Sequence, residues 1–277
     1  MKSTLILLVI LMSAGIPYAQ EPAAPMAPMH QYKEMVVNGT IPAEPFLAGE
    51  YLQYGVAYMG VKGGTLTMEI GSPIIYQGQI CYPLSAHIRS LPFFSMFFKV
   101  KDVITSIYNP VGSYSYRYHI TQREGDYRAE KTIELDYANK RAVYSRQTGA
   151  NGPHVREIDG FLNDSLSVFY DMRRQGFNNG MLRIPVISGK KVYDLKVELQ
   201  GRETLNTMLG KKDTLRIKPF VLKEGEFKDK GNLVMWITDD AYRIPVLVEI
   251  EVVFGKITAT LESVRLPKYS PPTEGAR

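Results

Sequence analysis

The chain has 277 residues, 45% hydrophobic and 22% charged, which is long enough to bury a core without covalent staples. Its 33 basic and 28 acidic residues give a formal charge of +5 spread along the sequence. There is no basic block or arginine-rich helix, so nucleic-acid binding has no footprint, although weak attraction to an anionic surface such as lipid headgroups fits the charge. Cys81 is the single cysteine and excludes an intramolecular disulfide, while 18 Tyr and 11 Phe against one Trp lean the composition towards β structure.

At the N-terminus, MKSTLILLVILMSAGIPYAQ sets Lys2 before an apolar run from Leu5 to Met12, followed by small and turn-forming residues. This is the layout of a secretory signal peptide over residues 1–20, too short for a permanent bilayer span. It predicts an exported protein of the periplasm or cell envelope, soluble after cleavage, with no transmembrane segment in the mature chain. Residues 21–45 are rich in Pro, Ala and Met without sustained period, and predict a flexible leader. Residues 46–266 carry strand-like alternation throughout and predict a single β-rich domain, with a disordered tail over 267–277.

Within that body, GEYLQYGVAYMGVKGGTLTMEI splits at Gly60 to Gly64 into a hairpin. QICYPLSAHIRS then alternates Ile80, Tyr82, Leu84, Ala86 and Ile88 on one face. SLPFFSMFFKV places Pro92 at the first position of a short helix, with Phe93, Phe94, Phe97 and Phe98 forming one apolar stripe. SYSYRYHITQ puts Tyr114, Tyr116, Tyr118 and Ile120 on one face of a strand and Ser115, Arg117 and His119 on the other. DYRAEKTIELDYANKRAVYSRQ reads as a hairpin turned at Ala138 to Lys140. NDSLSVFYDMRRQGF predicts a second helix, capped by Asp164, buried along Leu166, Phe169 and Tyr170, carrying Arg173 and Arg174 in its last turn and stopped at Gly176. Further strands follow in VYDLKVELQG, DTLRIKPF, NLVMWIT, VLVEIEVVF and ITATLESV. The sum is an all-β fold with two short helices: about a dozen antiparallel strands in one closed or strongly curled, barrel-like sheet.

The motifs of bond-making chemistry do not occur: there is no nucleophile elbow, zinc helix, paired C-x-x-C, phosphate loop or dinucleotide fingerprint. His30, His87, His119 and His154 are scattered; His87 and His119 would meet only across strands and lack a third metal ligand. Cys81, in an alternating strand without a basic neighbour, reads as a small buried hydrophobe. Asp239 and Asp240 are adjacent, and neighbouring side chains on an extended chain point to opposite faces, which favours a turn over an acid–base pair. Arg243 stands near enough to pair with one of them, and Pro245 suits the start of the next strand. No catalytic residue, cofactor or metal is expected.

The aromatics leave two readings open. Phe93, Phe94, Phe97, Phe98, Tyr114, Tyr116, Tyr118 and Trp236 either line an apolar ligand cavity or pack as cross-strand pairs and a docked helix.

GEYLQYGVAYMGVKGGTLTMEI, KVKDVITSIYN, REGDYR, DSLSVFYDMR, VMWITDDAYRIPVLVEI and GKITATLESV, in this order over most of residues 46–266, resemble a family of exported bacterial proteins known only as domain of unknown function 3108. The resemblance implies an envelope location and a barrel-like β body. It carries no activity and no catalytic residues, and the Pro/Met leader lies outside it. Asp102, Arg123, Glu124, Arg173 and Asp240 fall in the matching motifs and are expected to form a buried polar network. The function expected is that of a non-enzymatic envelope protein holding an apolar or amphipathic, lipid-like ligand. The alternatives are an envelope interaction module with a solid core, partnered by another envelope protein, and a glycan-acting enzyme using carboxylates such as Asp102 and Glu124.

Overall fold

The structure is a computed structural model and describes residues 48–147, 152–177, 181–223, 226–227, 233–252 and 254–267. The expected signal peptide and leader, and all but the first residue of the expected tail, lie outside the described residues. The chain opens with the hairpin β1 (Tyr51–Tyr58) and β2 (Val61–Ile70), then β3 (Ile74–Tyr76), a short spur on β4 (Gln79–Ser90). A four-residue helix, α1 (Pro92–Ser95), leads to β5 (Lys101–Asn109), β6 (Tyr114–Glu124), β7 (Tyr127–Asp136), β8 (Arg141–Arg146) and β9 (His154–Glu157). After β10 (Asn163–Asp164) and helix α2 (Ser167–Gln175) come β11 (Met181–Ser188), β12 (Lys191–Thr207), β13 (Gly210–Lys223) and β14 (Glu226–Phe227). The last elements are β15 (Leu233–Thr238), β16 (Pro245–Glu251) and β17 (Lys256–Arg265).

The pairings run β9-β8-β7-β6-β5-β4-β2-β1-β17-β16-β15-β13-β12-β11-β10, antiparallel except for the final pair. This is the curled, barrel-like all-β sheet with two short helices that the alternation predicts. It is not closed by a ladder between β9 and β10, but curls until the Ser115 N–H on β6 donates to Leu162 O beside β10 at 3.0 Å. Among the described residues seventeen strands form, more than the dozen expected: β3, β10 and β14 are two or three residues long and leave no period in the sequence, and β5, β9 and β11 lie outside the strands picked out there.

Side chains on the concave face form two cores. The larger gathers Leu52, Tyr54, Tyr82, Leu84, Ile104, Tyr108, Ile120 and Tyr170; the smaller gathers Val168, Met172, Ile184, Val197, Ile217, Met235 and Ile237. Burying each such aliphatic or aromatic side chain contributes about 1.5–3 kcal/mol. Helix α2 supplies Tyr170 to one core and Val168 and Met172 to the other, so it is the wedge that joins them. Asp164 caps it as expected in kind, its carboxylate accepting the Leu166 and Ser167 N–H groups at 2.7 and 2.8 Å, although the helix begins two residues later than a simple N-cap would place it.

One expectation about faces is corrected. The β5–β6 register slips between Ile107 and Tyr108, which places a bulge at Tyr116. Ser115 therefore takes the concave face opposite Tyr108, and Tyr114 and Tyr116 pass to the convex face. There they join Cys81, Tyr76 and Tyr137, while Tyr118 and Ile120 stay in the main core. An inserted residue reverses every side chain beyond it.

Two buried ties fix α2. Arg173 donates from Nη1 and Nη2 to Glu50 Oε1 and Oε2 at 2.7 and 2.8 Å, with both residues almost fully buried. Arg243 donates from Nη1 to the Arg173 carbonyl at 2.6 Å, satisfying the helix C-terminus. Removing one partner of a buried pair strands the other, so Glu50→Ala is expected to lower unfolding free energy by about 3–5 kcal/mol. Lys62→Ala, which breaks the half-exposed Lys62–Glu262 pair, is expected to cost under about 1 kcal/mol. Urea midpoints of the two variants measure the difference.

Candidate functional site

Antiparallel pairing dictates which chain reversals share an end of the sheet. Tyr58 pairs with both Val61 and Ile257, Gly64 with Ser90, Val100 with Glu124, and Glu124 with Tyr127. The β1–β2, β4–β5, β6–β7 and β16–β17 connections therefore stand side by side on one rim. Three of the four present apolar side chains to solvent. Phe93 is 62% exposed, Met96 72%, Phe97 76%, and across the rim Met59 is 66% and Phe254 78% exposed. Phe98 and Tyr127 add smaller exposed faces. Clustering of this kind, unlike scattered exposed apolar residues, marks an interaction surface.

The β4–β5 connection is held in shape. Leu91 donates its N–H to Gly63 O at 2.9 Å, Gly125 donates to Lys99 O at 2.8 Å, and Ser90 donates to Val100 O at 3.1 Å. Ser95 Oγ donates to Leu91 O at 2.9 Å inside the turn. Gly125 sits at φ +55°, and a β-carbon there would come within 2.8 Å of the Phe98 ring, so this turn needs glycine. Pro92 starts α1 as predicted, but α1 buries none of its residues.

The eight ring-bearing residues singled out in the sequence do not meet at one place. Phe93, Phe94, Phe97 and Phe98 stand on the rim, with Phe93 edge-on to Phe94 and Phe97 at 5.4 and 5.6 Å. Tyr114 and Tyr116 pack in the convex aromatic cluster, Tyr114 stacking on Phe161 at 4.2 Å. Tyr118 is in the main core. Trp236 belongs to that core too, its Nε1–H donating to Glu203 and its ring under Arg216. Inside the sheet lies an apolar cavity of about 60 Å³ lined by residues including Leu52, Met68, Ile88, Ile104, Phe169 and Met235. Pockets that hold drug-sized ligands have roughly 300 Å³ or more, so this cavity is too small for one. The rim members Met59 and Phe254 were invisible as a group because they gather only through strand order.

Just below the rim, the concave face carries a polar cluster. Asp102 accepts the Arg123 N–H at 2.8 Å, Gln122 donates to Glu124 at 3.0 Å, and Lys131 donates to Gln122 Oε1. Burial, followed by the neighbouring Glu124 charge, pushes Asp102 up to about 7 against the pull of the Arg123 N–H. Burial, with the Arg146 charge, brings Lys131 down to about 8. The network expected among five residues is therefore two. Asp102 and Glu124 meet here, with Arg123 contributing only its backbone. Arg173 binds Glu50 and the Tyr242 carbonyl instead, and Asp240 sits in the turn beyond it. Asp102 is fully buried and Glu124 nearly so, so they do not flank the open cleft that glycoside hydrolysis requires.

Asp239 and Asp240 make a turn. Asp240 Oδ1 accepts from Thr238 Oγ1 and from the N–H groups of Tyr242 and Arg243 at 2.8, 3.0 and 3.2 Å. Asp239 pairs with Arg202 at 2.8 Å, and Arg243, expected as a partner, reaches the α2 carbonyls. His119 bonds Thr132 and Thr121, and β5 separates its strand from that of His87. Cys81 is buried and its thiol is pushed up to about 12 by desolvation, leaving little thiolate for chemistry. Among the described residues no group of three or more His, Cys, Asp or Glu is placed to hold a metal ion, and no helix is long and apolar enough to cross a membrane.

A family model described as a protein of unknown function, DUF3108, matches residues 53–262. The chain belongs to this family. Among solved structures, the DUF3108 chain is similar to a β-barrel-like protein of domain of unknown function DUF1849 from Brucella abortus. That match has 6% identity and a TM-score of 0.57, and covers 81% of this chain and 100% of that one. At this identity the likeness is one of fold. A protein with a YmcC-like fold from Bacteroides fragilis aligns at 10% identity with a TM-score of 0.36, over 81% of this chain and 99% of that one. No curated protein matches.

In this DUF3108 protein the raised Asp102 has a measurable signature. Folded, Asp102 keeps its proton up to about pH 7; unfolded, it loses it near pH 4. Between these values the native state binds more protons, so the Asp102 contribution to stability is full below pH 4 and is lost as pH rises towards 7. Asp102→Asn keeps an acceptor for the Arg123 N–H and is expected to flatten this decline. Urea midpoints taken from pH 4 to pH 8 check it; an unchanged slope would show that the carboxyl is not the titrating group.

Proposed function

We propose that this is an exported, non-enzymatic protein of the cell envelope that engages lipid-like, apolar or amphipathic material through its rim. The N-terminal layout of the sequence supports export. The observation that carries the reading is the gathering of Phe93, Met96, Phe97, Met59 and Phe254 on three neighbouring reversals at one end of the sheet. Phe93, Phe94, Phe97 and Phe98 keep the ligand-contacting role expected of them, on an outer surface instead of a cavity wall. Tyr114, Tyr116, Tyr118 and Trp236 serve in packing that supports it.

Energetics favour this use of the surface. Transferring a phenylalanine from water to an apolar phase is worth about 1.5–3 kcal/mol, and several transferred together outweigh the cost of immobilising one rigid body. Flotation with phosphatidylcholine vesicles tests the reading. The wild-type protein is expected to rise with the vesicles, and Phe93→Ser combined with Phe97→Ser is expected to reduce the bound fraction by at least about tenfold. Wild-type protein that stays wholly in the aqueous layer sinks the reading.

A second reading, an interaction module with a solid core, is favoured by the small cavity and by β9. All four residues of that edge strand are exposed, and an uncovered edge offers unpaired backbone groups to another strand. Under this reading the vesicle assay returns nothing while the fold is intact.

A further inference from the structure

Behind the Phe93–Phe98 segment, strand register lines up cations on the convex face. Arg89 pairs with Lys101 across β4 and β5, and Arg123 pairs with Arg128 across β6 and β7. The β5–β6 register, fixed by Val103 with Thr121 and by the Val100–Glu124 bridge, sets Lys101 opposite Arg123. The result is Arg89, Lys101, Arg123 and Arg128 in one row across four adjacent strands, all exposed. At a strand spacing of about 4.8 Å the row spans roughly 14 Å. Lys99 adds a fifth cation directly after Phe98.

Like charges directly opposite on neighbouring strands destabilise a sheet. Among the described residues none of these five forms an ion pair; Arg128 turns one nitrogen to the carbonyls of Gly125 and Tyr127. A groove of about 480 Å³ runs between the strands, lined by Lys99, Lys101, Arg123 and Arg128, with Glu130 as its one acid. Asp126 is exposed on the β6–β7 turn, so cations outnumber the carboxylates of the groove and this turn. An anion seated here relieves the repulsion, and guanidinium groups grip phosphate oxygens two at a time. Lys99, which lines the groove, directly follows the exposed Phe98 in the chain, so charge and apolar surface adjoin as they do in an amphiphile.

We propose that the row and groove bind the phosphate-bearing headgroup of an anionic lipid while the adjoining Phe93, Phe97 and Phe98 rings meet its chains, orienting the rim on an anionic bilayer surface. This rests on the rim reading and adds to it a headgroup class and a defined side of approach.

The test compares vesicles of phosphatidylcholine alone with an equal mixture of phosphatidylcholine and phosphatidylglycerol. Wild-type protein is expected to prefer the anionic vesicles, and Lys101→Gln combined with Arg123→Gln to lose about fivefold for each cation removed, with neutral-vesicle binding unchanged. An anionic preference that survives in this double variant overturns the headgroup site while leaving the rim reading standing. Failure of the wild type to rise with phosphatidylcholine vesicles overturns the rim reading and this inference together. Inorganic phosphate, added at constant ionic strength, distinguishes the sources: competition as effective as that of phosphatidylglycerol vesicles would make this a free-anion site and overturn the lipid assignment. Thermal melting at low ionic strength supplies a readout without membranes. The double variant is expected to melt higher than wild type through relief of repulsion, and an unchanged or lower midpoint would count against the crowded row.

Discussion

Arg173 and Glu50 meet in the interior as a bidentate pair, each almost wholly removed from water. A charge buried alone costs several kcal/mol, and the pair offsets that cost only while both members stay. Glu50 immediately precedes β1 and Arg173 lies near the end of α2, so the pair ties the wedge helix to the start of the sheet. Arg173 also binds the Tyr242 carbonyl, in the turn that Asp240 shapes, and Arg243 from that turn closes the helix C-terminus. Withdrawing α2 as a lid would break all of these contacts together. The helix is therefore a fixed plug at the end of the sheet opposite the rim.

With that end sealed, the character of the other follows from the antiparallel pattern. Each strand arriving at the rim must reverse, and the reversals at Met59, Phe97, Gly125 and Phe254 stand together whatever their separation in sequence. Alternation then divides neighbouring residues between two solvents. Lys101 and Arg123 face water on the convex side, while Asp102 and Gln122, each one position along, are buried. One dipeptide thus holds both a freely solvated cation and a carboxyl that burial keeps protonated to near pH 7.

The fold was legible where side chains repeat with a period. Tyr82, Leu84, Ala86 and Ile88 alternate in the sequence and are buried in the structure, and Asp239–Asp240 announced their turn by type and adjacency. Features set by pairing were not legible. Nothing in SYSYRYHITQ marks the bulge at Tyr116, because a register slip is a relation between two strands. The Phe93–Phe98 stripe was readable as apolar and its first turn as helical, yet its exposure was not. Whether a stripe is buried depends on what the neighbouring connections leave uncovered. The cation row is hidden for the same reason: Arg89 and Arg128 are far apart in sequence and join one row only through three successive registers.

The length of α1 explains why these phenylalanines face outward. A helix of four residues has barely one turn, too little to present a continuous face to a core. Its connection is instead stitched at both flanks, to Gly63 and to Gly125, so the backbone that carries the rings is held. A backbone already fixed in place has little freedom left to lose when its rings meet an apolar phase, and that saved entropy appears as affinity. A flexible loop of the same composition would bury the same area and bind less tightly, so the rigid stitching, as much as the number of aromatic groups, makes the rim suited to contact.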